Sequence, residues 1–341
     1  MKSKTIKQVL RKEFDKFLTS IEDENVKILV KENSIITGGS IASMLKGEEV
    51  NDFDIYFTTR ETVLAVAKYY IKKFGDLNAE SRPVFEIMEE PMGGFPLCVD
   101  PDRLTEQDMK DYSERKAQPI NPNGRIKIRI KSAGVAAEDG FKFDEQEEQN
   151  TASLTNLPDD STNKLVETKK EKKARRKLEK VERKKAFRPV YISSNAITLS
   201  DRFQLIIRFY GNAEEIHSNY DFAHCTCWWT SKDSHLELPS EALECLLTNE
   251  LRYKGSKYPL ASIIRSRKFI TRGMTINAGQ YLKMCIQLND LDLRDLSVLE
   301  DQLIGVDALY FAQMLADIPQ DKKINNRVDT DYLMIMINRF F

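Results

Sequence analysis

Apolar residues recur at helical spacing at the start of the chain, at Ile6, Val9, Leu10, Phe14, Phe17, Leu18 and Ile21. This spacing places them on one face and predicts a helix over residues 4–31. The short apolar run 34–37 is interpreted as a strand, and residues 41–45 return to helical spacing. The segment DFDIYF at 52–57 alternates acidic and apolar positions, which predicts a second strand.

The pattern beyond residue 60 predicts further helices and strands. Residues 61–74 predict a helix that ends at Gly75. Strands are predicted at 125–130, 190–192, 196–199, 203–209 and 221–229. From about residue 240 the pattern is helical, at 240–249, 259–271, 276–288, 296–303 and 307–316. This order predicts a mixed α/β (α+β) fold followed by a C-terminal helical domain.

Charge is distributed unevenly along the 341 residues, although the net charge is only −1. Residues 137–163 are acidic and poor in apolar side chains, which predicts disorder. Residues 169–188 contain twelve Lys or Arg against three Glu, which predicts an exposed basic helix. Three interpretations of this helix remain open. It contacts a nucleic-acid backbone, it resembles a nuclear-localisation signal by chance, or it is a solvated helix whose charge is balanced by the acidic segment.

Cysteine usage and hydropathy bear on the compartment. The five cysteines are odd in number and scattered, which favours reduced thiols. The chain contains no run of about 18 apolar residues, so no membrane span is expected. We therefore expect a cytoplasmic protein without a membrane partner; the oligomeric state is left open.

The chemistry is concentrated in one short stretch, in which Gly38-Gly39-Ser40 is followed by eleven residues and then Asp52-Phe53-Asp54. Two glycines allow a ligand to approach the backbone closely. A serine at the start of a helix lies where free amide groups and the helix dipole favour a phosphate. Two acids at alternate positions of a strand face the same side and repel unless a cation lies between them. Magnesium beside substrate phosphates suits such a pair.

The segment ITGGSIASMLKGEEVNDFDIYF resembles the signature of the DNA polymerase beta-like nucleotidyltransferase superfamily, and is similar to the start of tRNA nucleotidyltransferases and bacterial poly(A) polymerases. The resemblance covers about residues 30–75. It implies a nucleotidyltransferase palm with a mixed sheet, in which the elbow Gly38, Gly39 and Ser40 binds the triphosphate. Asp52 and Asp54 would be catalytic and would hold Mg²⁺ or Mn²⁺.

Two further sets of residues complete the predicted site. Many members of that superfamily have a third carboxylate on a later strand, often the general base or a shared metal ligand. Asp221 is the candidate for this catalytic and metal-binding role, with Glu86 as its rival. Zinc binding by His224, Cys225 and Cys227 is disfavoured because a second ligand pair is missing. The helix that opens at Pro259 contains Arg265 and Lys268, which are candidate phosphate ligands, with a solvated cationic face as the alternative. Residues 195–280 also look similar to uncharacterised nucleotidyltransferases of phage genomes.

These observations predict a palm from residues 1–115 and 188–236, a charged insertion at 116–187, and a helical domain at 237–341. The predicted activity is two-metal transfer of a nucleoside monophosphate from an NTP, such as ATP, to an acceptor hydroxyl. An RNA 3′ end is the favoured acceptor. The alternatives are nucleotidylation of a protein or small molecule, and a non-catalytic binding protein that keeps the fold.

Overall fold

The computed structural model describes residues 1–77, 85–90, 125–129, 134–136, 186–302, 323–324, 327–332 and 334–335. The predicted acidic segment, all but the last three residues of the basic segment, and the predicted helix at 307–316 lie outside these residues. The division into a palm, an insertion and a helical domain stays a prediction.

The chain begins with two helices, α1 (Ser3–Thr19) and α2 (Glu24–Asn33), where the sequence predicted one. Asp23 separates them, because its side chain accepts hydrogen bonds from the backbone of Asn25 at 2.9 Å and of Val26 at 3.1 Å. This is an N-cap, which starts a new helix. The expectation of helix at both ends of 4–31 is confirmed, and its continuity is wrong.

The strands form one large sheet and two small ones. Their bounds are β1 (Ser34–Thr37), β2 (Phe53–Phe57), β3 (Glu86–Glu90), β4 (Arg125–Arg129), β5 (Gly134–Ala136), β6 (Pro189–Ser193), β7 (Ala196–Leu199), β8 (Phe203–Tyr210), β9 (Trp228–Thr230), β10 (Leu236–Glu237), β11 (Lys323–Ile324) and β12 (Arg327–Val328). The large sheet has eight strands in the order β10-β9-β1-β2-β8-β7-β6-β5. Its β2–β8 pair is parallel and its other pairs are antiparallel, which confirms the predicted mixed α/β class.

The remaining helices are α3 (Gly39–Lys46), α4 (Arg60–Leu77), α5 (Ala213–His217), α6 (Ser240–Thr248), α7 (Pro259–Thr271), α8 (Ala278–Asn289) and α9 (Leu296–Gln302). The predicted end of α4 at Gly75 is wrong. Gly75 is buried within the helix, where packing offsets the roughly 1 kcal/mol that glycine costs relative to alanine.

The predicted strand over 221–229 is shorter than expected. Residues Ala223–Cys225 form a 3-10 helix, and only Trp228–Thr230 pair with β1. The reason is that this segment hydrogen-bonds to a later one. The Ala223 amide donates to the Arg252 carbonyl at 3.0 Å, and the Lys254 amide donates to the Asp221 carbonyl at 2.8 Å. These bonds bend the chain away from the sheet before β9 begins.

The large sheet has two different faces. On one face, Ile36, Ile55, Phe57 and Leu205 pack with α1, α2 and α4 in the main core. Full burial of each such side chain contributes about 1.5–3 kcal/mol. On the opposite face, Tyr56 packs in a smaller cluster that includes the α5 residues Ala213 and Ile216. Asp54 shares this second face, so the core fixes which way the acidic side chain points.

Two other expectations concern thiols and membranes. The described cysteines Cys225, Cys227, Cys245 and Cys285 are free thiols. Within the described ranges, the helices are too short or too polar to traverse a bilayer.

Candidate functional site

The first component of the site is the elbow at Gly38. Its backbone has φ 90° and ψ −148°, and its amide donates to the Cys225 carbonyl at 3.2 Å. Gly38 is the N-cap of α3, and it provides no side-chain cap for the helix. The first amide groups of a helix have no partners within the helix, so the start of α3 can accept an anion.

The elbow lies directly against Asp54. A Cβ added to Gly38 would lie 3.1 Å from Oδ2 of Asp54 and 3.6 Å from the Tyr220 hydroxyl. The sheet register explains this proximity, since Thr37 on β1 pairs with Asp54 on β2 and Gly38 follows Thr37. The predicted phosphate-binding turn and the predicted metal ligand therefore border the same space.

Ser40 lies in the first turn of α3 and is 3% exposed. Its hydroxyl has no hydrogen-bond partner among the residues that the structure describes. A buried hydroxyl without a partner costs about 1–3 kcal/mol, so such groups are rare unless a ligand or water satisfies them. Ser40 thus has a buried hydroxyl without a described partner in the first turn of α3.

The acid pair consists of Asp52, just before β2, and Asp54 within it. Phe53 and Ile55 are buried in the main core, so the two acids both face away from it. Burial raises the pKa of Asp54 well above its ordinary value, the Asp52 carboxylate raises it further, and Lys268 opposes the shift. The two carboxylates are therefore close enough to repel each other.

A metal ion is chemically compatible with this pair. In the described part of the chain, no three His, Cys, Asp or Glu side chains come together as a metal site. Magnesium, however, is commonly held by one or two carboxylates together with substrate phosphates and water. Burial is the main cause of the raised pKa of Asp54 and the Asp52 carboxylate adds to it; a divalent cation would offset the repulsion between the two carboxylates.

Helix α7 supplies cations to the site. Arg265 and Lys268 are three residues apart and thus lie on one side of the helix. The Lys268 charge acts on Asp54, and Nη1 of Arg265 forms an ion pair with Oδ2 of Asp221. The structure thus brings both predicted phosphate ligands to the acid pair and the elbow; their roles stay predictions.

Asp221 is 7% exposed, and its carboxylate is bound by Arg265. The rival candidate Glu86 begins β3, which pairs with β4 in a separate two-stranded sheet. The structure therefore brings Asp221 to the site as the partner of a cation, while Glu86 belongs to another sheet. The metal-binding role predicted for Asp221 stays a prediction.

The Asp221–Arg265 pair should contribute to stability. We expect Arg265→Ala to lower the free energy of unfolding by about 2–4 kcal/mol, because it leaves a buried carboxylate without its cation. Chemical denaturation measures the change. Arg267→Ala, which removes an exposed cation from the same helix, should change stability by less than about 0.5 kcal/mol. Equal stabilities for the two variants would contradict the ion pair.

Sequence reasoning missed the polar residues beneath the acid pair. Tyr220 hydrogen-bonds to Tyr56, and burial raises the pKa of both phenols. The Thr37 hydroxyl lies 2.8 Å from Nε2 of His217 and donates to the Cys227 carbonyl at 2.9 Å. Burial and the Lys254 charge lower the pKa of His217 to about 4. Tyr56 could have been found from the sequence, since it alternates with Asp54 on β2.

The neighbouring His224 and Cys225 form a separate contact, with Nε2 of His224 3.2 Å from Sγ of Cys225. Burial lowers the pKa of His224 to about 4, and Lys46 and Arg272 lower it further. Burial also raises the pKa of the Cys225 thiol. Both groups are therefore neutral near pH 7, as expected for packed side chains.

Fold and site together define a mixed α/β protein in which an acid pair faces an uncapped helix N-terminus and a cationic helix. The model of the Gabija anti-defense 2 family matches residues 8–249, and the chain belongs to this family. A relative named "Gabija anti-defense 2" from Bacillus phage SPbetaL7 is 22% identical over 138 residues, which are 40% of this chain and 34% of the relative. The match thus spans about a third of the relative's length. No solved structure matches the chain.

This family membership corrects the resemblance drawn from the sequence. The assignment to the DNA polymerase beta-like nucleotidyltransferase superfamily is wrong, because the family match covers residues 8–249 and no nucleotidyltransferase family matches. The resemblance rested on about 46 residues around the elbow and the acid pair. A glycine elbow followed by two alternating acids is a short local motif, and such a motif does not by itself define a family.

Proposed function

We propose that this chain transfers a nucleoside monophosphate from an NTP to an acceptor hydroxyl with release of pyrophosphate. In this proposal the face of the eight-stranded sheet that bears Asp54 is the catalytic palm, and α7 borders the cleft. The proposal rests on the chain's own geometry and claims no kinship with known nucleotidyltransferases.

One observation supports this proposal above the others, namely that a Cβ added to Gly38 would lie 3.1 Å from Oδ2 of Asp54. It places the anion-accepting start of α3 beside a pair of acids. These two features attract opposite charges, and a metal-bound triphosphate has both. Lys268 adds a cation at the same place, which is expected where phosphate charge must be neutralised.

Asp52 and Asp54 would hold Mg²⁺ or Mn²⁺. When bound, such an ion supplies neutralisation of phosphate charge and acidification of an attacking hydroxyl. Because two carboxylates are fewer oxygen ligands than Mg²⁺ takes, we expect the metal and the triphosphate to bind together rather than in sequence.

The chain's own residues have distinct tasks in this scheme. The Ser40 hydroxyl and the first amides of α3 bind the terminal phosphates and hold the NTP in one orientation. Lys268 and Arg265 lie on the opposite side of the triphosphate and stabilise charge on the leaving pyrophosphate. The tyrosine pair Tyr56 and Tyr220 packs beneath Asp54 and keeps its carboxylate in place.

The family name adds a biological context. We propose that the chain acts against the Gabija defense, as the name of its family and of its phage relative states for those proteins. This context favours a second candidate acceptor, a component of the Gabija defense, beside the RNA 3′ end that the sequence predicts. The two acceptors require the same catalytic site. They differ in which molecule, an RNA 3′ end or a component of the Gabija defense, binds in the cleft as the acceptor.

The test is transfer of label from each α-³²P NTP in the presence of Mg²⁺, with either an RNA pool or purified Gabija proteins as acceptors. Label on RNA supports the RNA 3′ end, and label on a Gabija protein supports the second candidate. Nucleotidyl transfer would be refuted if no label is transferred from any of the four nucleotides to either acceptor, with Mg²⁺ or with Mn²⁺ in its place.

Lys268 should be needed for donor binding. We expect Lys268→Ala to raise the KM for the NTP about tenfold or more, since a charge-assisted hydrogen bond contributes about 1.5–3 kcal/mol. Steady-state kinetics with varied NTP measures the change. Arg267→Ala is the matched control on the same helix, and its KM should stay at the wild-type value. Identical KM values for both variants would show that Lys268 does not bind the triphosphate of the NTP.

A further inference from the structure

A row of polar side chains crosses the large sheet at the level of Asp54. Asp54 on β2 pairs with Gln204 on β8, Gln204 pairs with Thr198 on β7, and Thr198 pairs with Tyr191 on β6. Because paired residues on neighbouring strands share one level, these four residues form a line perpendicular to the strands.

The row lies on the face that bears the acid pair. Phe203, Leu205, Ile197, Leu199 and Ile192, which flank the row along the strands, are all in the main core. Side chains alternate along a strand, so Gln204, Thr198 and Tyr191 point to the opposite side, as Asp54 does. All three are half-buried. Within the described residues, no side-chain hydrogen bond involves Gln204 or Thr198.

The row extends away from Asp54 across three neighbouring strands. Strands lie about 4.8 Å apart, which puts Gln204 roughly 5 Å, Thr198 roughly 10 Å and Tyr191 roughly 14 Å from Asp54. Beyond Asp54 the row consists of the uncharged residues Gln204, Thr198 and Tyr191, which offer an amide, a hydroxyl and an aromatic ring. These groups hydrogen-bond and stack with sugars and bases, whereas the cations that suit phosphates, Arg265 and Lys268, are on α7.

We propose that Gln204, Thr198 and Tyr191 bind the nucleoside part of the donor NTP. Tyr191 stacks on the base, and Gln204 and Thr198 hydrogen-bond to the ribose and the edge of the base. The inference rests on the proposed function, since it extends the triphosphate site from β2 across β8, β7 and β6, on the side of β2 opposite to β1. It assigns nucleotide selectivity to Gln204, because the amide both donates and accepts hydrogen bonds.

The test compares two probes by isothermal titration calorimetry with Mg²⁺: the tightest-binding α,β-methylene NTP, which is not transferred, and inorganic tripolyphosphate, which has no nucleoside. Tyr191→Ser should weaken binding of the NTP analogue about tenfold, because it removes a stacking ring. It should leave tripolyphosphate binding unchanged. Tyr191→Phe, which keeps the ring, is the matched control and should bind both probes as the wild type does.

Gln204→Ala provides the second measurement. It should weaken binding of the NTP analogue several-fold, and it should reduce the difference in affinity among the four analogues. Thermal denaturation of each variant checks that it is folded, and the unchanged tripolyphosphate affinity serves as a second check on the triphosphate site.

The outcomes separate the inference from the function on which it rests. The assignment of Gln204, Thr198 and Tyr191 to the nucleoside is refuted if Tyr191→Ser and Gln204→Ala leave the affinity for the NTP analogue unchanged. It is also refuted if they weaken binding of both probes equally. If the wild type binds tripolyphosphate as tightly as the analogue, the row is also refuted while the triphosphate site stands. If the wild type binds neither probe, the proposed function fails and the row fails with it.

Discussion

Asp54→Asn is expected to reduce nucleotidyl transfer about a thousandfold or more while the protein stays folded. The carboxylate is one of two that would hold the metal, and metal-ion stabilisation of a transition state contributes several kcal/mol. A loss of about 4 kcal/mol corresponds to a thousandfold in rate. Asparagine has nearly the same shape, so packing against Gly38 is kept. The measurement is the rate of label transfer from the α-³²P NTP.

The same variant has a second expected effect, on stability. The pKa of Asp54 in the folded protein is raised, so the unfolded chain ionises this group first as the pH increases. Stability contributed by Asp54 is present below its ordinary pKa of about 3.9 and is lost as the pH rises through the raised value. Asp54→Asn has no such loss, so at pH 7 it should be at least as stable as the wild type.

The control for Asp54→Asn is Asp290→Asn, which changes an exposed acid at the end of α8. This control should keep wild-type transfer. If Asp54→Asn also keeps wild-type transfer, the acid pair is not the catalytic site. If it loses transfer only because it unfolds, denaturation at pH 7 will show a lower midpoint, opposite to the expected direction.

The acid pair and the elbow were predictable from the sequence because their geometry is local. A strand, a glycine turn, a short helix and a second strand return the chain to its starting point within about 20 residues. The antiparallel pairing of Thr37 with Asp54 then brings the glycine to the acid. Alternation around Asp54 also fixed which side the acids face, since Phe53 and Ile55 must enter the core.

The rest of the site depends on pairings across long stretches of sequence. The Cys225 carbonyl that accepts from Gly38, the His217 that contacts Thr37, and the Gln204 beside Asp54 come from a segment more than 140 residues later. No periodicity in the sequence specifies which later strand pairs with β2, or its register. For the same reason the sequence predicted a strand at 221–229, where tertiary hydrogen bonds to Arg252 and Lys254 impose a turn.

The family assignment failed for a related reason. A motif of two glycines, a serine and two acids reports the local chemistry, and the structure places those residues together as the motif indicates. Membership in a family, by contrast, depends on similarity along the chain, and residues 8–249 match the Gabija anti-defense 2 family. The chemistry predicted from the motif and the ancestry inferred from it are separate claims, and only the second has been overturned.

Gly38→Ala is expected to lower both stability and transfer, whereas Gly39→Ala should leave stability unchanged. At Gly38 the φ of 90° with ψ −148° is a conformation that side chains rarely adopt, which costs about 1–3 kcal/mol. The added Cβ would also lie 3.1 Å from Oδ2 of Asp54 and push the carboxylate aside. A displacement of the order of 1 Å at a catalytic group can cost about a hundredfold in rate.

Gly39 is the matched control because a Cβ there meets no described atom within 4 Å, and its φ is not positive. It begins α3, where alanine is well tolerated. Chemical denaturation and label transfer should therefore separate the two variants. A fall in NTP affinity for Gly39→Ala at wild-type stability would place the triphosphate against that backbone. If Gly38→Ala matches the wild type in both measurements, the elbow does not position Asp54, and the geometric basis of the proposed function is lost.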